Sequence, residues 1–295
     1  MNKYKTQATI ANTPFLSTFI SENKEGKKRL GVRFYRWSSV ICVNLLFFLS
    51  YKIDLQVLEG TLSGSRLLGF HLIDPFISLQ MFLAHHTLHI NLIIGTATIV
   101  AFYFIAGGRA FCSWICPYGI LGEVCERIHK VLIKKKIIKS HNFNPKVKYI
   151  FWAFFLFLAY FAGYLVFELI NPVGILSRAI VYGWSLALVF VVLLLLFEIF
   201  FSQRFWCRYV CPIGTTYSFL GWLGATRIKW TSKCDHCGVC SDVCVTPHVL
   251  GITKSKEGTK DEILLYSGDC TLCGRCVEVC HQDALCFSSK LKKLI

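Results

Sequence analysis

The sequence RAFCSWICPYG, residues 109–119, is followed 95 positions later by RFWCRYVCPIG, residues 204–214. Both copies fit Arg-x-[Phe/Trp]-Cys-x3-Cys-Pro-x-Gly, and each follows a long apolar stretch. Cysteines four residues apart lie on one face of a helix. Proline lacks a backbone N–H and is favoured in the first turn of a helix. The pattern therefore predicts an apolar span, a turn that carries the cysteines, and a new helix that begins at Pro117 or Pro212.

The apolar stretches have the length that a bilayer requires. Hydrophobic residues make up 54% of the 295 residues and charged residues 17%, against roughly 25% charged residues in soluble domains. A transmembrane helix needs about 20 apolar residues. The predicted spans are approximately residues 34–51, 86–106, 149–170 and 179–201. We expect an all-α membrane domain over residues 34–228, with four transmembrane helices in two tandem hairpins.

The positive charge of the chain is concentrated in the segments that we predict to lie on the cytoplasmic side of the membrane. The net charge is +15, and Lys and Arg number six in residues 24–36, nine in 107–148 and five in 202–233. The intervening segments 52–85 and 171–178 hold two and one. Because cytoplasmic loops are enriched in Lys and Arg, this bias predicts cytoplasmic N- and C-termini and a basic cytoplasmic tail over residues 1–33. A basic face of the nucleic-acid-binding kind is not visible, so nucleic acid is not an expected partner.

Two cysteine runs near the C-terminus have the spacing C-x2-C-x2-C-x3-C, which is that of two-cluster bacterial ferredoxins. In such runs the fourth cysteine ligates the other cluster. The first predicted [4Fe–4S] cluster therefore takes Cys234, Cys237, Cys240 and Cys280. The second takes Cys270, Cys273, Cys276 and Cys244. Structural zinc would leave thiols unused, and disulfides are disfavoured in the cytoplasm. Residues 229–295 are thus predicted to form a small cytoplasmic α+β ferredoxin-like domain.

The paired Cys-Pro motifs have two interpretations. Packing the hairpins together would bring Cys112, Cys116, Cys207 and Cys211 near one another, so the pairs hold a redox centre or act as redox-active dithiols. Alternatively, these cysteines are small apolar residues in a membrane-surface turn. We favour the redox role because the pairs match, and we expect Arg109 and Arg204 at the membrane surface.

Polar residues near the span ends are candidates for a quinol site, because ionisable groups are costly at membrane depth. Asp74, His85, His86 and Glu168 are predicted on the outer side, where carboxylates and imidazoles could accept protons. Interfacial solvation would also account for them. The spacing of His85 and His89 also allows a haem ligand role, although the third and fourth spans contain no histidine. Glu198 is expected to reach the lipid headgroups.

The order of these features resembles the NapH/MauN family. The chain has RAFCSWICP after the second span, INPV after the third, the second Cys-Pro motif after the fourth, and two ferredoxin runs with PHVL between them. The resemblance covers roughly residues 30–287. It implies a multi-pass protein of the bacterial inner membrane that oxidises menaquinol or ubiquinol. It also implies electron transfer to a periplasmic iron–sulfur protein of the NapG type and multihaem cytochromes that serve periplasmic nitrate reductase.

Other functions remain open at this point. A maturation factor that delivers electrons to a metalloenzyme would need the same clusters, and so would a membrane anchor of an iron–sulfur complex. No GxGxxG or P-loop motif is visible, so no nicotinamide cofactor is expected. For quinol dehydrogenation we expect two protons to be released and two electrons to pass singly through one-electron centres.

Overall fold

The computed structural model describes residues 19–22, 28–53, 58–67, 70–86, 90–253 and 262–290. This part of the chain is mostly helical. Its α-helices are α1 Val32–Ile53, α2 Pro75–His85, α3 Ile90–Ala106, α4 Ala110–Trp114, α5 Pro117–Lys134, α6 Val147–Ala162, α7 Val166–Ile170, α8 Pro172–Tyr182, α9 Ala187–Phe200, α10 Pro212–Leu223, α11 Val239–Val243 and α12 Arg275–Glu278. Trp206–Val210 forms a π-helical turn, and Pro247–Thr253 forms a 3-10 helix.

Among the described residues, one helix is long and apolar enough to cross a membrane by length and composition, namely α1 with 22 residues. The shorter apolar helices are α3, α6, α8 and α9. The helices therefore differ from the expected spans 149–170 and 179–201. The first breaks where Gly163 caps α6 with φ 68°, and the second breaks between α8 and α9 at Gly183, with φ 98°. Glycine adopts positive φ without a steric penalty, which ends a helix inside apolar sequence.

The first two predicted spans have different ends in the structure. Residues 34–51 lie inside α1, and the span 86–106 is represented by α3, which starts at Ile90. His89 and most of the predicted tail 1–33 lie outside the described residues.

The two halves of the helical region each contain one short helix of the same length (a half-length helix) at the corresponding place. α2 and α8 each contain 11 residues, begin with proline and are capped by a side chain. Asp74 accepts a hydrogen bond from the Phe76 N–H at 2.9 Å, and Asn171 accepts one from the Val173 N–H at 3.1 Å. Each half-length helix is followed by an apolar helix and a Cys-Pro motif. The repeat therefore extends well upstream of the cysteines.

Strand β5 lies against helix α3. The strands are β1 Ile20–Glu22, β2 Lys28–Leu30, β3 Leu58–Thr61, β4 Gly64–Leu67, β5 Phe70–Ile73, β6 Thr226–Thr231, β7 Glu262–Leu264 and β8 Leu285–Ser289. A Cβ added to Gly95 of α3 would clash with the His71 carbonyl oxygen. This close approach brings the β3–β4–β5 sheet beside the helices and lets α2 start within the core, where Phe76 is fully buried.

The C-terminal region is an α+β unit. β6 is the central strand of a three-stranded antiparallel sheet, with β7 and β8 on its two sides. α11, α12 and the 3-10 helix lie beside this sheet and carry or flank the cysteine runs. A second apolar core, which includes Ile228, Trp230, Leu250 and Leu285, fills the space between them.

Candidate metal centre

The two C-terminal cysteine runs have the same backbone conformation. The residue before the second cysteine and the glycine after it have positive φ in both runs. These residues are His236 at 56° and Gly238 at 75°, and Leu272 at 48° and Gly274 at 71°. Left-handed residues at these places turn the chain around a common point. The three thiols of each run can therefore face one site.

Cysteines of the two C-terminal runs lie close to one another. The Cys240 thiol interacts electrostatically with those of Cys234 and Cys280, and Cys237 lies close to Cys240. Cys244, Cys270, Cys273 and Cys276 line one pocket together with apolar side chains such as Leu250 and Leu265. Cys276 also interacts with Cys240. The two groups are therefore adjacent, and Cys237 lies at the exposed end.

The Cys-Pro motifs fold as the sequence predicts. Pro117 and Pro212 occupy the first turns of α5 and α10, with Cys116 and Cys211 as the preceding caps. The Cys211 Sγ accepts a hydrogen bond from the Gly214 N–H at 3.5 Å. The first motif forms α4 and the second forms the π-helical turn.

The two motifs meet in one place. The Cys116 thiol interacts with Cys112 and Cys211, and Cys207 interacts with Cys211 and Cys116. We call these four thiols the four-thiol site. Burial raises the pKa of all four thiols. A metal or a cluster that binds here would replace the thiol protons.

Arginines connect the motifs reciprocally. Arg109 Nη2 donates to the Cys207 carbonyl at 3.0 Å, and Arg204 Nη1 donates to the Gly119 carbonyl at 2.9 Å. Both side chains are buried, with 3% and 4% of their surface exposed. The guanidinium groups of Arg109 and Arg204 therefore form their contacts inside the protein.

An iron–sulfur group fits the four-thiol site if hydrogen-bond donors for its sulfur atoms lie nearby, and two buried guanidinium groups provide such donors. Arg109 Nε and Arg204 Nη2 have no hydrogen-bond partner among the described residues. Arg109 interacts electrostatically with Cys112, and Arg204 with Cys207. Cluster sulfurs accept hydrogen bonds, and these bonds tune cluster potentials. Four thiols beside buried N–H donors therefore fit such a group.

Asp269 joins the second cysteine run to the helical core. This carboxylate precedes Cys270 and accepts hydrogen bonds from Ser218 at 2.6 Å and His248 at 2.8 Å. It also pairs with Lys148 and Arg109. Burial raises the pKa of Asp269, but the His248 hydrogen bond and the two cationic neighbours outweigh it and hold this pKa well below its usual range.

Two further carboxylates of α5 pair with arginines from distant segments. Glu123 pairs with Arg33 at 3.0 Å and Arg36 at 3.2 Å. Glu126 contacts Arg204 at 3.1 Å and Arg275 at 3.5 Å. Since Arg275 lies between Cys273 and Cys276, these pairs fix the second run against the motifs. Trp114 adds a direct link, because its Nε1 donates to the Leu272 carbonyl at 3.1 Å.

The structure separates the predicted quinol-site residues. Asp74 is buried, lies against the Tyr217 hydroxyl and interacts electrostatically with Glu168, Cys112 and Cys211. His85 and His86 are exposed at the opposite end of α2. Glu168 accepts a hydrogen bond from Asn171 at 3.0 Å. Asp74 is thus the candidate that the structure brings to the thiols, whereas the two histidines lie apart from it.

Sequence reasoning did not identify three residues near the thiols. Glu198, expected at the headgroups, is buried, accepts a hydrogen bond from the Trp206 N–H at 2.9 Å and faces the Tyr118 hydroxyl. Tyr217 faces Asp74 in the same manner. A usable signal was present, because Tyr118 and Tyr217 follow the cysteines on the helices that Pro117 and Pro212 begin.

Two family models describe the cysteine motifs. A 4Fe-4S binding domain matches twice, at residues 88–139 and 182–231, once around each Cys-Pro motif. A 4Fe-4S dicluster domain matches residues 233–284, which contain both C-terminal runs. The matches support iron–sulfur clusters and electron transfer. The twofold match also supports the tandem repeat. No solved structure matches the chain significantly.

Curated relatives cover most of the chain. Ferredoxin-type protein NapH of Haemophilus influenzae is 32% identical over 87% of this chain and 89% of the relative. NapH of Escherichia coli is 30% identical over 79% and 81%. The methylamine utilization ferredoxin-type protein MauN of Methylorubrum extorquens is 29% identical over 86% and 90%. The chain therefore belongs to the ferredoxin-type NapH/MauN family.

Proposed function

We propose that this protein is the membrane-bound electron-transfer subunit of a quinol dehydrogenase. It oxidises menaquinol or ubiquinol and passes electrons to an iron–sulfur and cytochrome chain, with a NapG-type protein and periplasmic nitrate reductase as the partners that the family resemblance implies. One observation carries this proposal. Thiols from both Cys-Pro motifs converge at a buried site next to the loop of the second C-terminal run.

The proposed cofactors are two [4Fe–4S] clusters and a further centre at the four-thiol site. Cys234, Cys237, Cys240 and Cys280 would hold the first cluster, and Cys270, Cys273, Cys276 and Cys244 the second. The proximities among these thiols and the apolar pocket around the second group support both sets. Bound clusters supply one-electron transfer. The protein supplies burial, spacing and N–H donors near sulfur.

The proposed topology has four membrane spans in the bacterial inner membrane, with both termini in the cytoplasm. The apolar helices α1, α3, α6 and α9 provide the spans, and the Lys and Arg bias supports the orientation. α3, α6 and α9 contain 17, 16 and 14 residues, or about 21–26 Å of helix at 1.5 Å per residue. Flanking residues would complete the crossing. α2 and α8 would then enter the bundle from the outer side.

Asp74 is the proposed proton acceptor for quinol oxidation. Quinol loses two protons and two electrons when it is oxidised, so the site needs a base beside an electron acceptor. Asp74 lies against the Tyr217 hydroxyl and interacts electrostatically with Cys112 and Cys211 of the four-thiol site. His85 and His86 would take protons towards the outer solvent from the exposed end of α2. Glu168, whose negative charge interacts with Asp74, would favour uptake of the proton by Asp74.

The test is an anaerobic preparation of the full chain, with iron and sulfide quantified and a menaquinol analogue added. We expect more than about eight irons per chain, since two [4Fe–4S] clusters account for eight. We also expect low-temperature EPR signals of reduced clusters after quinol addition. If dithionite reduces the clusters and quinol does not, even with the periplasmic iron–sulfur partner present, the dehydrogenase proposal fails in favour of maturation or anchoring.

A further inference from the structure

Arg109 and Arg204 occupy equivalent places in the two motifs, and their first contacts are alike. Each reaches into the other motif through a backbone carbonyl. Each also packs over a glycine, because a Cβ on Gly214 would lie 3.1 Å from Arg109 Nη2, and one on Gly122 would lie 3.1 Å from Arg204 Nη1. The two arginines thus form a matched pair within one protein.

Their second contacts differ. Arg109 Nη1 reaches the Asp269 Oδ1 at 3.4 Å and the Asp269 carbonyl at 3.5 Å. Asp269 is bonded directly to Cys270, so one side chain spans the gap between the second motif and the second C-terminal run. Arg204 instead contacts Glu126, and it reaches the C-terminal region through the Arg275 that shares this carboxylate.

The electrostatic surroundings differ in the same way. Arg109 interacts with the thiols of Cys112, Cys207 and Cys211, and also with that of Cys270. Arg204 interacts electrostatically with the thiol of Cys207, which is part of the four-thiol site and not of the C-terminal runs. Arg109 therefore places one positive charge between two groups of thiols.

We infer that Arg109 is a positioning residue that couples the four-thiol site to the ligand loop of the second C-terminal cluster. The inference rests on the proposed clusters. The guanidinium holds the Cys207 carbonyl and Asp269 at a fixed separation. Its charge stabilises negative charge at both groups of thiols. Arg204 stabilises the four-thiol site without holding the Cys270 loop directly.

The experiment compares Arg109→Met and Arg109→Lys with Arg204→Met and Arg204→Lys in the full-length holoprotein. Iron content and EPR-monitored redox titration are measured for each variant. Removal of a nearby positive charge makes reduction less favourable, so R109M should lower the midpoint potentials of both the second cluster and the four-thiol centre. R204M should lower that of the four-thiol centre and leave the second cluster nearer its wild-type value.

The lysine variants separate charge from geometry. R109K keeps the charge but loses the planar fork that contacts two groups at once. We expect it to retain most of the potential of the second cluster, and to reduce this cluster with quinol ~10- to 100-fold more slowly, the usual cost of losing an outer-shell partner. R204K should show a smaller loss in the rate of reduction of the second cluster.

An opposite-sign variant covers the case in which R109M does not fold. Asp269→Asn removes a negative charge next to Cys270 and should raise the midpoint potential of the second cluster. Equal shifts of this cluster in R109M and R204M would overturn the inference, and so would an unchanged potential in both R109M and D269N. The wild-type iron content tests the proposed function separately. About eight irons would remove the third centre and leave the shift of the second cluster to decide the role of Arg109.

Discussion

The two halves of the helical core use the same backbone plan with different chemistry. In the first half, the buried carboxylate is Asp74, which caps the half-length helix. In the second half, the equivalent cap is the neutral Asn171, and the carboxylate is Glu198 on the following apolar helix. Each carboxylate faces a tyrosine from the other half, Tyr217 or Tyr118. The two halves thus contribute the same number of thiols to the four-thiol site, with different carboxylates and caps around them.

The C-terminal region contacts the two halves unequally. Asp269 accepts directly from Arg109, whereas Arg204 is joined to Arg275 through Glu126. The helix after the first motif carries Glu123 and Glu126, and the corresponding helix Pro212–Leu223 has no charged residue. One C-terminal region packs against two similar halves, so it cannot make the same hydrogen bonds and ion pairs with each of them. The comparison shows that the repeated halves form the thiol site together, whereas the C-terminal region contacts the arginine of only one half directly.

The strongest challenge to this comparison is removal of one cysteine from each motif. Cys112→Ser and Cys207→Ser should each abolish iron in excess of the two ferredoxin clusters, and should reduce quinol-dependent cluster reduction by at least about 100-fold. Cys42→Ser is the control, because Cys42 is exposed on α1. Full activity in either motif variant would show that one motif is dispensable and that the thiols do not act together.

A second test concerns the unequal caps of the half-length helices. Asp74→Asn should keep the cap, since Asn171 accepts the same backbone hydrogen bond in the other half. Quinol-dependent reduction should fall by ~10²- to 10⁴-fold if the carboxylate takes a proton, while dithionite still reduces the clusters. His85→Gln and His86→Gln should have smaller effects because both histidines are exposed. A stronger loss in the histidine variants would move the quinol site to the exposed end of α2.

A third test measures the charge network around Glu126, on the helix after the first motif. Glu126→Gln leaves Arg204, Arg275 and Lys130 without their buried carboxylate, which should destabilise the fold by ~3–5 kcal/mol. Glu168→Gln is the control, since its pair with the half-exposed Arg178 is 3.8 Å long and should contribute ~0–1 kcal/mol. Thermal unfolding of the detergent-solubilised protein checks both values. A loss of only ~0–1 kcal/mol in Glu126→Gln would mean that the buried network adds little stability.

The smallest effect is expected in the pH dependence of the unfolding free energy that Glu123 causes at acid pH. Burial raises the pKa of Glu123, but Arg36, Arg275 and Arg33 outweigh it and lower this pKa to about 2. Because the folded pKa lies below the unfolded value of about 4.3, the ionised form stabilises the fold above that pH. The contribution is lost as pH falls from about 4 towards 2. Glu123→Gln should therefore show a shallower fall in unfolding free energy over this interval, measured by denaturant titration at several pH values.

The sequence allowed some of this architecture to be predicted and not the rest. Cysteine spacing determines which thiols of the C-terminal runs can meet, and Pro117 and Pro212 mark helix starts because of their missing N–H. Helix ends at Gly163 and Gly183 were missed, since a glycine inside apolar sequence does not lower its hydropathy enough to mark a break. The contacts of Arg109 with Asp269 and of Asp74 with Tyr217 join residues more than 140 positions apart. Such pairs depend on how helices pack, and a local pattern does not contain that information.

The Arg109–Asp269 contact can form only late in synthesis, because Asp269 is made long after Arg109. Asp269 and Arg275 leave the ribosome after the segments that contain their partners, such as Arg109, Glu126 and Lys148. Until they arrive, the core holds Arg109 without its carboxylate, and an unpaired buried charge is strongly destabilising. The ligand loops around Cys270 and Cys276 must then be shaped before that carboxylate is in place. If the proposed clusters shape these loops, a chain without iron would leave Arg109 without its carboxylate, and an incompletely folded chain is open to proteases.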